Sequence, residues 1–349
     1  MKKILILLIF IFSYSFSNAS KILIPMDETQ SNHLKAYGIA YTSLKNNTEI
    51  DWLLNYRGGS FLINYTSNTQ KECLVRGVSF EIISDADVQA LKQQISNPDV
   101  NMEIMRLHKA ARIAVYSPSK ISLSTFEDTD AVLLVLKYAE IPFEVVYDEE
   151  ILRGDLNKYD WLHLHHEDFT GQYGKFFGNY RSTPWYIQQK ADAEALAKKL
   201  GYNKVSEEKL AVAKKIRDFV IGGGFMFAMC SATDSFDIAL SAEGVDICEP
   251  MFDGDDSEAN YQAKIDYTST FAFKDYTLVR NPMVYEFSDI DTTEEHGKGA
   301  FSMDKDYFTL MEYSAKWDPI PTMLCQNHTQ LVKGFMGQTT AFDAIKVKS

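Results

Sequence analysis

The stretch from Val205 to Cys230, VSEEKLAVAKKIRDFVIGGGFMFAMC, decides the fold class. Ser206 carries an N-cap side chain, and Glu207 and Glu208 place negative charge in the first turn. Val205 and Leu210 stand where a hydrophobic staple closes a helix start. Leu210, Ala213, Ile216 and Val220 recur at helical spacing, and Gly222-Gly223-Gly224 offers the backbone freedom that a helix end needs. Phe225 to Met229 is then an unbroken apolar run of strand length, with Cys230 directly after it. Helix, glycine turn and apolar strand make one half of a βαβ unit.

The same alternation extends upstream. Lys21–Pro25, Ile50–Leu54, Arg112–Tyr116, Phe143–Tyr147 and Tyr159–Leu164 read as strands. Asn32–Leu44 reads as a helix, and so does Asp128–Glu140, with Ala131, Leu134, Val135 and Tyr138 on one stripe. The expectation is an α/β fold with a mainly parallel sheet and helices on both faces. In such sheets the working site lies beyond the carboxyl ends of the strands, where Cys230 and the stretch His163–Asp168 fall. From about Cys248 the character changes. Asp266–Val279 (DYTSTFAFKDYTLV) is rich in Tyr, Thr and Phe, which suggests a β-rich appendage. The expected organisation is a leader over 1–19, an α/β domain over 20–245 and a β-rich extension over 246–349.

The leader rests on Lys2 and Lys3, the apolar run Ile4–Phe12 and the small residues of Ser17-Asn18-Ala19, the three parts of a secretory signal peptide. Its apolar run is too short to anchor in a bilayer of ~30 Å. Cleavage after Ala19 predicts an exported protein, periplasmic or extracellular, with no membrane attachment. The sequence has 349 residues, 46% of them hydrophobic, and a formal charge of −13, which loss of the two lysines deepens to −15. That balance excludes a disordered chain and argues against nucleic-acid partners. Export permits disulfides among Cys73, Cys230, Cys248 and Cys325, and the spacing leaves all three full pairings open.

Three constellations carry chemistry. Ala228 and Ala232 flank Cys230 at the −2 and +2 positions, as a nucleophile on a tight strand-to-helix turn requires. Such a turn aims the thiol outward and offers the backbone N–H groups around Ser231 to an oxyanion. A buried core cysteine is the other reading. In His163-Leu-His165-His166-Glu167-Asp168, His163 and His165 share one strand face. They suit a general base, with Glu167 beside them, or a zinc site completed by Asp168, or a metal-free pocket wall, or simply a polar strand end whose imidazoles bond backbone carbonyls or neighbouring acids. Gly171 and Gly174 follow and offer bare N–H groups. Third, Asp253-Gly-Asp-Asp256 with Glu258 reads as a solvated acidic turn more readily than a calcium loop, whose full spacing is missing. The aromatic group Tyr173, Phe176, Phe177, Tyr180, Trp185 and Tyr186 with Arg181 suits either loop packing or a sugar or peptide site.

Helix, Gly222-Gly-Gly224, apolar strand and a small-flanked Cys230 resemble the class I glutamine amidotransferase-like superfamily over roughly Arg112–Leu240. The resemblance implies a flavodoxin-like core in which the Cys attacks an amide and a His, supported by Glu, acts as base. The whole chain also resembles exported bacterial proteins labelled asparagine synthetase B. The stretches concerned are Lys21-Ile-Leu-Ile-Pro-Met-Asp-Glu-Thr29, Leu162-His-Leu-His-His-Glu-Asp-Phe-Thr-Gly171 and Lys333-Gly-Phe-Met-Gly-Gln-Thr339. Synthetase chemistry is not expected. The predicted mature start is Ser20 rather than Cys, and Ser231-Ala-Thr-Asp-Ser235 lacks the glycines of a pyrophosphate loop. After Cys230 the only histidines are His296 and His328, and neither sits in the family's His-Pro-Glu-like motif; relatives would continue past Ser349. Two functions follow: a Cys-dependent amide hydrolase needing no cofactor, or a non-catalytic protein binding a small molecule or carbohydrate on the same fold.

Overall fold

The structure, a computed structural model, describes residues 21–118, 130–290, 307–309, 314–316 and 331–333. The expected leader, His296, Cys325 and His328 lie outside the described residues. The chain forms two compact units, the first taking the residues up to Ala110 together with Val135–Ile141, the second Ala111–Leu134 and the residues from Pro142 to Ile290.

In the first unit, strands β1 (Lys21–Ile24), β2 (Ile50–Leu54), β3 (Ser60–Asn64), β4 (Glu81–Ile83) and β5 (Glu103–Leu107) form an antiparallel sheet in the order β4-β1-β3-β2-β5. Neighbouring apolar residues point to opposite faces of a strand, so runs such as Ile22-Leu23-Ile24 and Phe61-Leu62-Ile63 feed two cores. Ile22, Ile24, Phe61 and Ile63 pack with Ile39 and Ala40 of α1 (His33–Lys45) and Cys73 of α2 (Ser67–Val75). Leu23, Leu53 and Leu62 pack with Val88, Leu91 and Ile95 of α3 (Asp85–Ile95). Strands β4 and β5 are short or carry charged residues, and this hides them from a search for apolar runs. With β3 they make this sheet antiparallel and separate it from the parallel one.

The second unit holds the expected parallel sheet. Its strands are β6 (Ile113–Tyr116), β7 (Phe143–Val146), β8 (Trp161–Leu164) and β9 (Phe225–Ala228), in the order β7-β6-β8-β9. Every pair is parallel, with Val115 opposite both Val145 and His163, and Leu164 opposite Ala228. Ala114, Tyr116, Leu162 and Leu164 face a core built with Ile151 of α5 (Asp148–Arg153), Val212, Ala213 and Ile216 of α7 (Val205–Ile221), and Phe236 and Leu240 of α8 (Ala232–Ser241). Between β6 and β7 runs α4 (Ala131–Ala139), and α6 (Pro184–Lys199) precedes α7. No helix among the described residues is long and apolar enough to cross a membrane.

Three local expectations change. Helix α7 starts at Val205, one residue before the expected cap, and the Glu207 carboxylate accepts the N–H groups of Asn203 and Lys204. In α4 the buried residues are Leu133, Leu136 and Ala139, while Leu134, Val135 and Tyr138 are exposed. The helix is apolar almost all round, so its periodicity could not choose a face. Asp266–Val279 carries a 3-10 turn at Tyr267–Ser269 and one isolated bridge, Leu278 to Ser288. The cause is Asp237, fully buried on α8, whose carboxylate accepts the N–H groups of Phe271, Ala272 and Phe273 at 2.7–2.9 Å and so holds that backbone away from a ladder. Tyr307–Thr309 and Leu331–Lys333 pair as a two-stranded sheet.

Beneath the parallel sheet's carboxyl edge lies a buried charge network. Tyr116 donates to Asp148, Lys209 binds the other oxygen of Asp148, and Lys209 Nζ reaches the Tyr116 hydroxyl at 3.2 Å. Asp148 is fully buried, and Glu208, 1% exposed, stands 3.5 Å from Lys209 Nζ. Removing one partner of a buried pair leaves an uncompensated charge. Lys209→Met should therefore cost ~3–5 kcal/mol in urea unfolding, whereas Lys214→Met, which breaks an exposed pair with Glu243, should cost under ~1 kcal/mol. Equal costs would remove the network from the stability argument. Burial pushes the Glu208 carboxyl up to about 7. The folded state holds its proton more tightly than the unfolded chain, so stability should fall as pH rises from about 4.5 through about 7. Glu208→Gln should flatten that slope in unfolding measured at a series of pH values.

Candidate functional site

All four strands of the second sheet run the same way, so their carboxyl ends share one edge. The chain leaves β6 towards β7 on one side and later returns past β6 to β8 on the other. Such a reversal of strand order is where open parallel sheets place their ligand sites. His165, His166 and Glu167 follow β8 at this edge, and Cys230 follows β9.

The parallel ladder continues beyond the strands. Met229 N–H donates to Leu164 O at 3.0 Å, and Ala232 N–H donates to His165 O at 3.4 Å. These two bonds bracket Cys230 and bind its turn to the first residue past β8. Cys230 has φ +52°, in the left-handed region that favours glycine. A side chain there costs roughly 1–3 kcal/mol, strain typical of functional turns. Thr233 N–H then donates to Cys230 O at 3.0 Å, and α8 opens from Ser231. The cysteine is half-buried, with no disulfide to Cys73 or Cys248, both of which are buried. The strand that carries it lies at the sheet edge with Phe227 43% exposed, although Phe225–Met229 is apolar throughout.

Across the turn, His165 Nδ1 is 2.6 Å from Asp130 Oδ2. Asp130 is held in turn by α4, because its other oxygen accepts the N–H groups of Val132 and Leu133 at 2.9 Å each. Burial alone would raise the Asp130 pKa, but the Leu133 N–H and the His165 imidazole hold it below the ordinary carboxylate value. Asp130 is the residue that sequence reasoning missed. The only local signal is an acid just before an apolar helix, which marks a helix start and not a site. His166 stacks on His165 with ring centroids 3.4 Å apart, is 53% exposed, and lies 3.8 Å from Asp130 Oδ2.

The other expected residues fall into distinct roles. His163 is 2% exposed, lies against Phe227 at 5.8 Å, and its two ring nitrogens make no hydrogen bond among the described residues. Burial pushes its pKa down to about 4, so it is neutral at ordinary pH and a poor base. Glu167 is buried, and its carboxylate accepts the His165 N–H at 2.6 Å. Burial pushes its pKa up to about 7.

Asp168 is not beside the histidine cluster's donors. One of its oxygens accepts from the N–H and hydroxyl of Thr170, and the other accepts the Gly174 N–H at 2.9 Å. That N–H is therefore committed to the loop rather than to an oxyanion. Lys175, 2% exposed, anchors the same loop by donating to Val279 O and Asn281 O. Tyr173, Tyr186 and their aromatic neighbours pack on one another around Phe252. The acidic turn at Asp253–Asp255 surrounds Lys204, whose Nζ lies 2.5 Å from Asp246, 2.9 Å from Asp253 and 2.6 Å from Asp255.

Among the described residues, two groups of side chains bring metal-ligating atoms within 4.8 Å of one another, Asp130 with His165 and His166, and Asp246 with Cys248 and Asp253. The sequence-based zinc set of His163, His165 and Asp168 thus shares only His165 with the first. Compared with protein-family models, curated proteins and solved structures, the chain matches none.

Gly171 fixes the loop against α7. Its φ is +81°, and a Cβ there would lie 2.7 Å from Ser206 N and 2.8 Å from Ser206 Cα. Gly171→Ala should destabilise the protein by roughly 1–3 kcal/mol in thermal or urea unfolding; a variant as stable as the wild type would show that the loop relaxes freely.

Proposed function

We propose that this protein is a thiol hydrolase of small amides, with Cys230 as nucleophile, His165 as general base and Asp130 as the residue that orients His165. The observation that carries the proposal is the strained Cys230 turn, bonded through Ala232 to the backbone of a histidine whose ring is held by a carboxylate. A nucleophile, a base and a third group fixing that base make up the general arrangement of nucleophilic catalysis. With Nδ1 engaged by Asp130, the His165 ring is set in one orientation and Nε2 is the nitrogen left to take the thiol proton.

In the proposed cycle Cys230 sulfur attacks the amide carbonyl as its proton passes to His165. The tetrahedral oxyanion lies at the start of α8 near Ser231, where the helix dipole favours negative charge. The leaving amine takes the proton from His165, and water, activated by the same imidazole, releases the acid and regenerates the thiol. No cofactor enters these steps.

The strand order β7-β6-β8-β9 supports a flavodoxin-like core, and with the glycine turn and Cys230 it supports the amidotransferase-like reading. The base then comes from the end of β8 instead of a C-terminal motif. We read the protein as exported, with a small-molecule amide as its substrate.

Iodoacetamide labelling of the reduced, folded protein between pH 6 and 8 tests the thiol. Cys230 should label rapidly at pH 6, Cys230→Ala should lose that label, and His165→Gln should slow it to the rate of an ordinary thiol. In hydrolysis assays the His165 variant should lose ~10²–10⁴-fold in rate. Protection of Cys230 until the protein is denatured would end the enzyme proposal in favour of a binding protein on the same fold.

A further inference from the structure

We propose that Asp130, His165 and His166 bind one divalent transition-metal ion of the zinc class. Two imidazoles and a carboxylate are a donor set that suits zinc, and three protein ligands with a fourth position open is the pattern of sites that exchange ligands. Their ligating atoms already lie within 4.8 Å of one another. Tetrahedral ligands on bonds of about 2.05 Å stand about 3.4 Å apart, so binding opens the 2.6 Å Asp130–His165 contact and splays the stacked imidazoles. Asp130 is fixed in place by the first turn of α4, and His166, 53% exposed, leaves a path in from solvent.

A separate observation also points to a ligand here. His163, two residues before His165 and 6.0 Å from it between ring centroids, has both ring nitrogens buried with no hydrogen-bond partner among the described residues. Buried polar groups of this kind require a partner, and an unseen water or ion is the usual one. A hydrated ion held by the neighbouring histidines supplies it.

The second group of metal-type side chains lacks this character. Between Asp246 and Asp253 sits the Lys204 ammonium, 2.5 and 2.9 Å from their oxygens, and the Cys248 thiol donates to Thr170 O. A cation of the chain's own already fills that place.

Metal binding and thiol chemistry compete for His165. An ion on its ring removes the base from Cys230, so zinc acts as a reversible inhibitor. This consequence, unlike the binding itself, rests on the thiol reading.

The test uses the full chain purified without a histidine tag, stripped with EDTA and titrated with zinc. Calorimetry and elemental analysis should give one zinc per chain, and cobalt should give the visible bands of a tetrahedral site. His166→Ala removes an exposed ligand and should weaken binding ~100-fold or more, because even outer-shell partners are worth ~10–100-fold. The variant's Cys230 alkylation rate should stay that of the wild type. Zinc should slow Cys230 alkylation in the wild type and not in His166→Ala, with EDTA restoring the rate. Absence of stoichiometric zinc, or unchanged affinity in both His166→Ala and Asp130→Ala, overturns the metal site and leaves the thiol reading standing. Zinc binding beside an unreactive Cys230 does the reverse.

Discussion

The parallel pairing of β8 with β9 is the constraint on which the site depends. A ladder that stopped at Leu164 and Ala228 would leave two loops free to separate. Instead the bonds from Met229 to Leu164 and from Ala232 to His165 carry the pairing past both strands, across a residue with φ +52°. The unfavourable backbone at Cys230 persists because bonds on both sides determine it. Tightening the turn further requires small residues, and Ala228 and Ala232 supply them. Ala232 is fully buried, so a larger side chain there would push the turn off His165.

Two kinds of buried charge surround this edge, and they behave differently. Lys209 and Asp148 neutralise one another deep under the sheet, with Tyr116 closing the triangle. Such a pair contributes little net stability beyond what apolar residues would give, but it penalises any arrangement that separates its members. It ties the end of β6, the start of α5 and the first turns of α7 into one geometry. Glu167 and Asp130 are instead held mainly by N–H groups: the His165 N–H for one, the Val132 and Leu133 N–H groups for the other. Backbone donors fix a carboxylate's position without cancelling its charge, which leaves Asp130 able to act on an imidazole or a cation.

Much of the parallel unit was legible in the sequence. Its strands are mostly apolar and its helices carry caps and breaks, so β6, β7, β8, β9 and α7 lie within a residue or two of their expected bounds. The antiparallel unit was less legible. Ser60–Asn64 has an apolar run of only three residues and Glu103–Leu107 mixes charged with apolar ones, and pairing with β1 and β2 makes them strands. Asp266–Val279 has strand-like composition, yet one buried carboxylate, Asp237, decides its conformation from 30-odd residues away. Of the site, Cys230, His165 and Glu167 were visible because each follows a readable strand. Asp130 was not, since nothing local relates a helix cap to a histidine 35 residues later.

The contrast between His163 and His165 shows how the fold assigns chemistry to identical side chains. They are two residues apart and share a face, so sequence alone gives them equal claims as base or ligand. The strand carries His163 inward against Phe227, where burial disfavours the charged form at neutral pH. His165 falls one residue beyond β8, where Ala232 and Glu167 hold its backbone and its ring meets the carboxylate at the head of α4. That single step past the strand end converts a structural imidazole into one oriented by charge. The elements responsible are the length of β8 and the position of Asp130, neither of which belongs to the histidine motif itself.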